Sequence, residues 1–244
     1  MDIIRLVDLY KSFNGLSVLR GVHLTVKRGE ISVILGRSGT GKSVLLKHVI
    51  GLIRPDRGQV LLEGVDLVRL PEKELFALRK RFGYLFQHGA LLDSLNIGEN
   101  IAFPLQEHTS LTQTQIEEIV AAKLTQVGLP GVEAKMPAEL SGGMRKRAAL
   151  ARALALDPEI MLFDEPTTGL DPITTTTIRN LIADTVRKLK LTAVIISHDL
   201  ELALSLADSI AFLHQGKILT QDPPASFKSS ALPEVQQFLR GEPD

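Results

Sequence analysis

Apolar and polar residues alternate along the first third of the chain with the two-residue period of β-strands. The alternation predicts strands over Ile3–Leu9, Val22–Val26 and Gly58–Glu63. Turn-forming residues occupy the stretches between them, including Ser12-Phe13-Asn14-Gly15. The pattern therefore predicts an antiparallel β-subdomain near the start of the chain. A helix at Glu72–Arg81 and a strand at Phe82–Phe86 are predicted to follow.

Three short runs are almost entirely apolar, with Ser32 as their one polar residue, which is typical of strands buried on both faces of a parallel sheet. These runs are Ile31–Leu35, Ile160–Phe163 and Ala193–Ile196. Helical periodicity separates them along the chain, so the sequence predicts an α/β fold with a mainly parallel sheet. A hairpin is predicted near the end, with strands at Ile210–Leu213 and Lys217–Leu219 and a turn at Gln215-Gly216.

Between about residues 88 and 156 the period is helical, and no convincing strand is predicted. Thr112 followed by Gln115 forms a capping box, and Gly128 ends the helix that it begins. We predict one domain over residues 1–244 in which this helical subdomain is inserted into the α/β core. A tail from about 222 to 244 ends in a short helix whose apolar side carries Val235, Phe238 and Leu239.

The segment between the first apolar run and the next helix has the spacing of a phosphate-binding loop. It reads Gly36-Arg37-Ser38-Gly39-Thr40-Gly41-Lys42-Ser43. Glycines let backbone N–H groups approach a phosphate, the lysine supplies a cation, and the serine hydroxyl can hold Mg²⁺. The following helix, predicted at Val44–Ile50, directs its positive end at the same place. The alternative is a glycine-rich turn, but the flanking strand and helix favour a nucleoside-triphosphate site.

Two carboxylates end the second apolar run. Asp164 and Glu165 follow Ile160–Phe163 directly, and the carboxyl ends of strands in open α/β sheets border ligand crevices. Asp164 is suited to hold Mg²⁺ together with Ser43. Glu165 could take a proton from an attacking water. The alternative is an ordinary acidic loop. The presence of the phosphate loop in the same chain makes that alternative the less favoured interpretation.

A second phosphate-seeking pattern lies at Leu140–Met144. Ser141, Gly142 and Gly143 precede a helix predicted at Arg145–Leu156. Three cations, Arg145, Lys146 and Arg147, oppose the helix dipole in its first turns. We interpret them as attracting phosphate. The alternative interpretation is a solvated basic face.

Composition narrows the class of protein. The chain has 28 basic and 28 acidic residues, so no net charge favours nucleic acid, and it has no cysteine. The start does not have the pattern of a signal peptide, and no apolar run approaches the ~20 residues needed to cross a bilayer. We expect a cytosolic protein that could still dock onto a membrane protein.

Taken together, these motifs resemble the nucleotide-binding subunit of an ATP-binding cassette (ABC) transporter. The phosphate loop at 36–43, the LSGG motif at 140–143 and the strand end Phe163-Asp164-Glu165 occur in that family's order over nearly the whole chain. The resemblance implies an ABC-type P-loop NTPase core. It also implies that ATP and Mg²⁺ are bound.

Four further residues match single positions of the family. Gln87 resembles its Q-loop glutamine, which bridges Mg²⁺ or water, and Asp171, after Leu170, resembles its D-loop. His198 resembles the switch histidine that binds the terminal phosphate. Phe13 lies where the family stacks an aromatic ring on adenine. The resemblance thus implies catalytic roles for Glu165, Gln87 and His198, whereas a structural His198 and a core Phe13 are the alternatives.

The resemblance also implies partners. Two copies would sandwich two ATP molecules, with residues 36–43 and 164–165 of one copy facing Ser141–Gly143 of the other. The motion would drive a membrane permease from the cytoplasmic face of the bacterial inner membrane. Most members have Gln where this chain has Met144. The LSGGM form resembles that of the Mla-type branch, whose members move phospholipid together with an MCE-domain protein and a small STAS-type subunit. An ABC ATPase for another solute and a soluble ABC ATPase acting on DNA or translation remain alternatives.

Overall fold

In the computed structural model, which describes residues 1–242, the predicted alternation of strands and helices is present along the chain. The first 79 residues form β1 (Asp2–Phe13), β2 (Leu16–Lys27), β3 (Ile31–Leu35), α1 (Lys42–Val49), β4 (Arg57–Leu62), β5 (Val65–Asp66) and α2 (Glu72–Arg79). Residues 80–189 form β6 (Phe82–Leu85), α3 (Ile97–His108), α4 (Gln113–Gln126), α5 (Gly142–Ala153), β7 (Ile160–Asp164) and α6 (Pro172–Lys188). The remainder forms β8 (Thr192–Ser197), α7 (Leu200–Leu206), β9 (Ser209–His214), β10 (Lys217–Asp222), α8 (Pro224–Lys228) and α9 (Pro233–Leu239).

The chain divides into two compact units. The first contains residues 1–79 and 190–242, and the second contains residues 80–189. No helix within residues 1–242 is long and apolar enough to cross a membrane. The prediction of one domain with an insertion at 88–156 stays a prediction.

In the first unit, the alternating segments form an antiparallel sheet in the order β2-β1-β4-β5. Leu6 on β1 lies opposite Leu24 on β2 and Val60 on β4, and all three side chains are buried. Both long strands extend beyond the predicted bounds. The reason is the turn at Asn14 and Gly15, whose φ angles of 48° and 82° keep the strands paired up to the turn itself.

The first unit also contains parallel strands. β3 pairs in parallel with β8 on one side and β9 on the other, and β10 closes the hairpin with β9 as predicted. Every residue of β3 and β8 is buried, which explains why both strands are mainly apolar. Because parallel strands share the edge at which they end, Leu35 and Ser197 lie in register there. The phosphate loop and His198 therefore start from the same edge.

The tail packs onto this unit through its apolar side. Val235 on α9 is fully buried, and the Phe238 ring lies 5.1 Å from the Phe212 ring of β9, measured between centroids. The predicted short helix is therefore confirmed. Residues 243 and 244 of the predicted tail lie outside the described residues.

In the second unit, β6 pairs in parallel with β7, and the described residues between them contain helices and no strand. Gly83 permits close packing, because a Cβ atom there would lie 2.4 Å from the backbone oxygen of Ala153 on α5. The predicted capping box of Thr112 and Gln115 begins α4. A second capping box, Asn96 with Glu99, begins α3 and was not predicted.

Three predicted helix boundaries, one in α2 and two in α5, are wrong. α2 ends at Arg79 rather than residue 81, and α5 runs from Gly142 to Ala153 rather than from 145 to 156. α5 begins early because Ser141 is its N-cap, with the hydroxyl accepting a hydrogen bond from the Met144 N–H at 3.3 Å. The two glycines thus lie in the first turn of the helix.

Candidate functional site

Two glycines of the phosphate loop, Gly36 and Gly41, occupy positions where a Cβ atom would be crowded. A Cβ atom on Gly36 would lie 2.5 Å from the backbone oxygen of Leu213, and one on Gly41 would lie 2.8 Å from Val18 Cγ1. Gly39 and Gly41 also have φ angles of 79° and 97°, which other residues rarely adopt. The loop therefore requires glycine at these positions to adopt this shape.

Lys42 closes the loop from within. Its ammonium donates hydrogen bonds to the backbone oxygens of Gly36 at 2.8 Å and Arg37 at 3.0 Å, and the residue is 5% exposed. The Thr40 hydroxyl donates to the same Arg37 oxygen at 2.8 Å. Within the described residues, the cap of α1 makes no side-chain hydrogen bond to the helix amides. The Lys42 ammonium inside the loop and the positive end of α1, which begins at Lys42, both favour an anion such as phosphate.

His198 is exposed and borders a cavity of about 480 Å³ together with Arg37 and Ser38 of the phosphate loop. The end of the tail forms another wall, where the backbone oxygen of Glu242 accepts a hydrogen bond from the Arg37 guanidinium. Asp199, not His198, caps α7, since its carboxylate accepts from the Leu202 N–H at 3.0 Å. A structural His198 stays the alternative to the predicted contact with the terminal phosphate.

Phe13 is the last residue of β1 and is 41% exposed. The Lys11 ammonium lies 5.3 Å from the centre of its ring, within the range of a cation–π interaction. The alternative of a core residue is therefore wrong. Stacking of Phe13 on adenine stays a prediction.

In the second unit, Asp164 and Glu165 are 6% and 8% exposed. The Tyr84 hydroxyl donates to Asp164 Oδ2 at 3.2 Å, and the Thr168 hydroxyl donates to Glu165 Oε2 at 3.2 Å. Glu165 also has a φ angle of 48°, a conformation that costs energy for any residue except glycine. Two adjacent buried carboxylates and a strained backbone are both unfavourable, and such features concentrate at functional sites.

Tyr84 is a site residue that sequence reasoning missed. Burial, and after it the Asp164 carboxylate, raise the pKa of the Tyr84 hydroxyl, so the group stays protonated and remains a donor. Only the pairing of β6 with β7 indicates that Tyr84 belongs to the site, because it aligns Tyr84 with Leu162, two residues before Asp164. No local pattern in the sequence contains that register.

The structure corrects the interpretation of the basic residues on α5. The Lys146 ammonium donates to the backbone oxygen of Gln87, and the Arg147 guanidinium donates to the Gly128 oxygen at 2.9 Å. Of the three cations, only Arg145 is exposed. A cation near a helix N-terminus opposes the dipole, and two of these three are held there by carbonyl partners on other elements. Lys146 and Arg147 are therefore neither part of a phosphate-attracting cluster nor part of a solvated face.

The other predicted contacts for nucleotide lie on helix starts. Ser141 and Gly142 are exposed at the beginning of α5. Asp171 is the N-cap of α6, and its carboxylate accepts from the backbone N–H groups of Ile173 at 3.1 Å and Thr174 at 3.0 Å. Hydrogen bonds from Thr174 are the main reason that the pKa of Asp171 lies below its ordinary value. Asp171 thus has a structural role within its own chain, beside the predicted one.

Each unit therefore carries its own part of the predicted chemistry. The first holds a phosphate loop and a histidine at one cavity. The second holds Gln87, Asp164 and Glu165, with Tyr84 bound to Asp164 and Lys146 bound to Gln87. Anion binding, metal ligation and proton abstraction are the parts that phosphoryl transfer to water requires.

Comparison with known proteins agrees with these features. Residues 19–168 match the ABC transporter family. The chain is 46% identical over 223 residues to the intermembrane phospholipid transport system ATP-binding protein MlaF of Haemophilus influenzae, covering 91% of this chain and 84% of that one. It is 47% identical over 233 residues to the probable ribonucleotide transport ATP-binding protein mkl of Mycobacterium tuberculosis. That match covers 96% of this chain, which spans 65% of the length of the mycobacterial protein.

Solved structures of ABC cassettes are similar to this chain as well. The dimeric ATP-binding cassette MJ0796, in a post-hydrolysis state bound to ADP and Pi, superposes with a TM-score of 0.84 at 29% identity, covering 91% of this chain and 99% of that one. The structure of cbiO1 from Clostridium perfringens, part of the ABC transporter complex cbiONQ, gives a TM-score of 0.85 at 26% identity and covers 98% of this chain and 99% of that one. The predicted α/β P-loop fold is confirmed.

Proposed function

The chain belongs to the ABC transporter family, and on that premise we propose that it binds and hydrolyses ATP to power a membrane transporter. The observation that carries the proposal is the closed phosphate loop, in which the Lys42 ammonium binds the Gly36 oxygen and a Cβ atom on Gly36 or Gly41 would be crowded. The resemblance to a cassette solved with ADP and Pi supports the same activity.

In this proposal each residue has a separate task. Lys42 and the amides of residues 36–43 bind the phosphates, and Phe13 stacks on the adenine. Glu165 accepts the proton of the attacking water, and His198 binds the terminal phosphate. The buried position of Glu165 excludes bulk water from the base and so supports this role.

Ser43, Gln87 and Asp164 are the proposed ligands of Mg²⁺. Hydroxyl, amide and carboxylate oxygens are the donors that this hard cation prefers, so the residue types fit. When bound, Mg²⁺ would neutralise charge on the phosphate oxygens. Tyr84 keeps one oxygen of Asp164 oriented by its hydrogen bond, which fixes the direction of the carboxylate.

We propose further that two copies of the chain act together. Ser141, Gly142 and Gly143 of one copy then complete the ATP site of the other, and Asp171 lies near the contact. The exposure of Ser141 and Gly142 at the N-terminus of α5 supports this, because the first turn of a helix is a site where anions bind.

A membrane permease is the second proposed partner. The second unit has an apolar groove of about 320 Å³ lined by Phe86, Leu92 and Phe103, whose exposed fractions are 37%, 41% and 45%. Large apolar side chains exposed together mark binding surfaces, and a groove of this kind accepts the apolar face of a helix. Through such a contact the chain would lie at the cytoplasmic face of the bacterial inner membrane.

Phospholipid is the proposed cargo, moved by an Mla-type system with an MCE-domain protein and a small STAS-type subunit. The 46% identity to the Haemophilus protein supports this assignment. The mycobacterial relative named for ribonucleotide transport favours a second candidate, an ABC transporter of another solute.

The test is purification of a tagged Glu165→Gln chain from native cells in mild detergent with ATP, followed by mass spectrometry of its companions. A permease with an MCE-domain protein is the expected result. A permease with a solute-binding protein instead would remove the lipid assignment, and ribosomal or DNA-bound companions would overturn the transporter proposal.

ATP turnover of the same variant tests the chemistry. Glu165→Gln should bind ATP normally and hydrolyse it roughly 10²–10⁴-fold more slowly, the range for loss of a positioned base. Lys42→Ala should instead abolish binding. Near-normal turnover in Glu165→Gln would show that another group is the base.

A further inference from the structure

Two cationic side chains of α5 bind three carbonyl groups of the backbone that follows β6. The Lys146 ammonium donates to the backbone oxygen of Gln87. The Arg152 guanidinium donates to the oxygens of Gly89 at 3.0 Å and Ala90 at 2.7 Å. Three of four consecutive carbonyls are therefore held by one helix.

Residues 87–90, which we call the glutamine segment, are shaped for this contact. Gly89 and Ala90 have φ angles of 77° and 50°, which turn the backbone away from the direction of the strand. A Cβ atom on Gly89 would lie 3.2 Å from the Cβ of Ala149, so the segment packs directly on α5. Ala149 lies midway between Lys146 and Arg152, and this spacing of three residues places all three on one side of the helix.

Burying the ammonium of Lys146 costs free energy unless other groups compensate for the loss of water around the charge. The residue is 7% exposed, and burial lowers the pKa of its ammonium, while the carboxylates of Asp164 and Glu165 favour the charged form. A methionine would fill similar space without removing a charge from water. The hydrogen bond to Gln87 and the attraction of the two carboxylates offset the cost of burying the lysine charge.

We propose that Lys146 is a positioning residue that ties Gln87 to α5, so that the glutamine and the Ser141–Gly143 motif at the start of α5 move together. The proposal rests on the proposed function, in which both contact ATP or its Mg²⁺. Because the ammonium binds the main-chain oxygen, the side-chain amide of Gln87 keeps its own donors and acceptor for the ligand.

Arg152 extends the connection to the apolar groove. Its side chain lines the groove that also contains Phe86 and Leu92, on either side of the glutamine segment in sequence. A permease helix seated there touches residues adjoining the carbonyls that α5 holds. Displacement of the glutamine segment would then move α5, whose Ser141–Gly143 motif contacts the ATP of the other copy in the proposed dimer.

The experiment compares Lys146→Met with Lys146→Arg in the full chain, purified as the complex with its membrane partner. Lys146→Met removes the donor and charge at nearly constant volume, whereas Lys146→Arg keeps both. We expect Lys146→Met to lower kcat for ATP about tenfold with KM changed less than about twofold, because orientation is lost and phosphate binding is not. Lys146→Arg should recover at least a third of the rate.

Lys123→Met is the matched control. Lys123 lies in the same unit, is 8% exposed, and pairs with Asp157 rather than with the glutamine segment. Hydrogen exchange gives a second readout, since the Gly89 N–H donates to the Phe86 oxygen at 2.9 Å. Its exchange should accelerate about tenfold in Lys146→Met and remain unchanged in Lys123→Met.

Equal losses of kcat in Lys146→Met and Lys123→Met would assign the effect to stability and overturn the positioning role. Wild-type kcat and Gly89 exchange in Lys146→Met would overturn it as well. If Lys146→Met does not fold, faster Gly89 exchange in Lys146→Arg contradicts the proposal. The wild-type chain in the same preparation separates the two proposals. If it does not hydrolyse ATP, the proposed function is overturned, and if it hydrolyses ATP while Lys146→Met is unchanged, only the positioning role is overturned.

Discussion

Gly83→Ala is a direct test of how closely α5 packs on β6. The added Cβ atom would lie 2.3 Å from Met161 Sδ, 2.4 Å from the Ala153 oxygen and 3.1 Å from Pro158 Cγ. The methionine can change rotamer, but the Ala153 oxygen belongs to the helix backbone. Since a carbon–oxygen contact needs about 3.3 Å, α5 or β6 must move by about 1 Å.

Overpacking of this size costs about 1–3 kcal/mol. For a domain of 150–250 residues each kcal/mol lowers the melting temperature by about 2–4 °C, so we expect a decrease of about 2–12 °C. ATP turnover should fall as well, because the displaced helix carries both Ser141 and Lys146.

Thermal unfolding followed by circular dichroism measures the shift. Gly142→Ala is the control for stability, since its Cβ would meet nothing closer than Leu170 Cδ2 at 3.7 Å. A Gly83→Ala protein that melts within about 1 °C of the wild type would show that the two elements are not in the contact described.

Two further predictions concern the first unit. Burial lowers the pKa of His48, whose Nδ1–H donates to the Val44 oxygen at 2.7 Å, so the unfolded chain binds a proton that the folded chain excludes. Stability should therefore be full above pH about 6.5 and fall as the pH drops below it, and urea midpoints at pH 7.5 and 5.5 should show a dependence that His48→Leu lacks. Phe13→Ala should weaken ATP binding roughly tenfold by calorimetry, the scale of one lost base stack, while Phe13→Trp retains it, and equal affinity in all three proteins would remove the stacking role.

Local sequence determined the parts of this protein that depend on neighbours along the chain. The capping box at Thr112 depends on hydrogen bonds within a few residues, and the φ angles of Gly39 and Gly41 depend on the residue type alone, so local patterns predicted both features. The continuous apolar runs likewise predicted buried strands, because a strand covered on both faces has no polar side.

Tertiary structure decided what depends on register and on partners distant in sequence. Tyr84 meets Asp164 only because β6 pairs with β7 in one particular register. Lys146 and Arg147 turn inward because carbonyls of other elements lie within reach, and a charged residue in a helical pattern carries no mark of that partner. The strained backbone of Glu165 is likewise imposed by its surroundings, since glutamate by itself disfavours it.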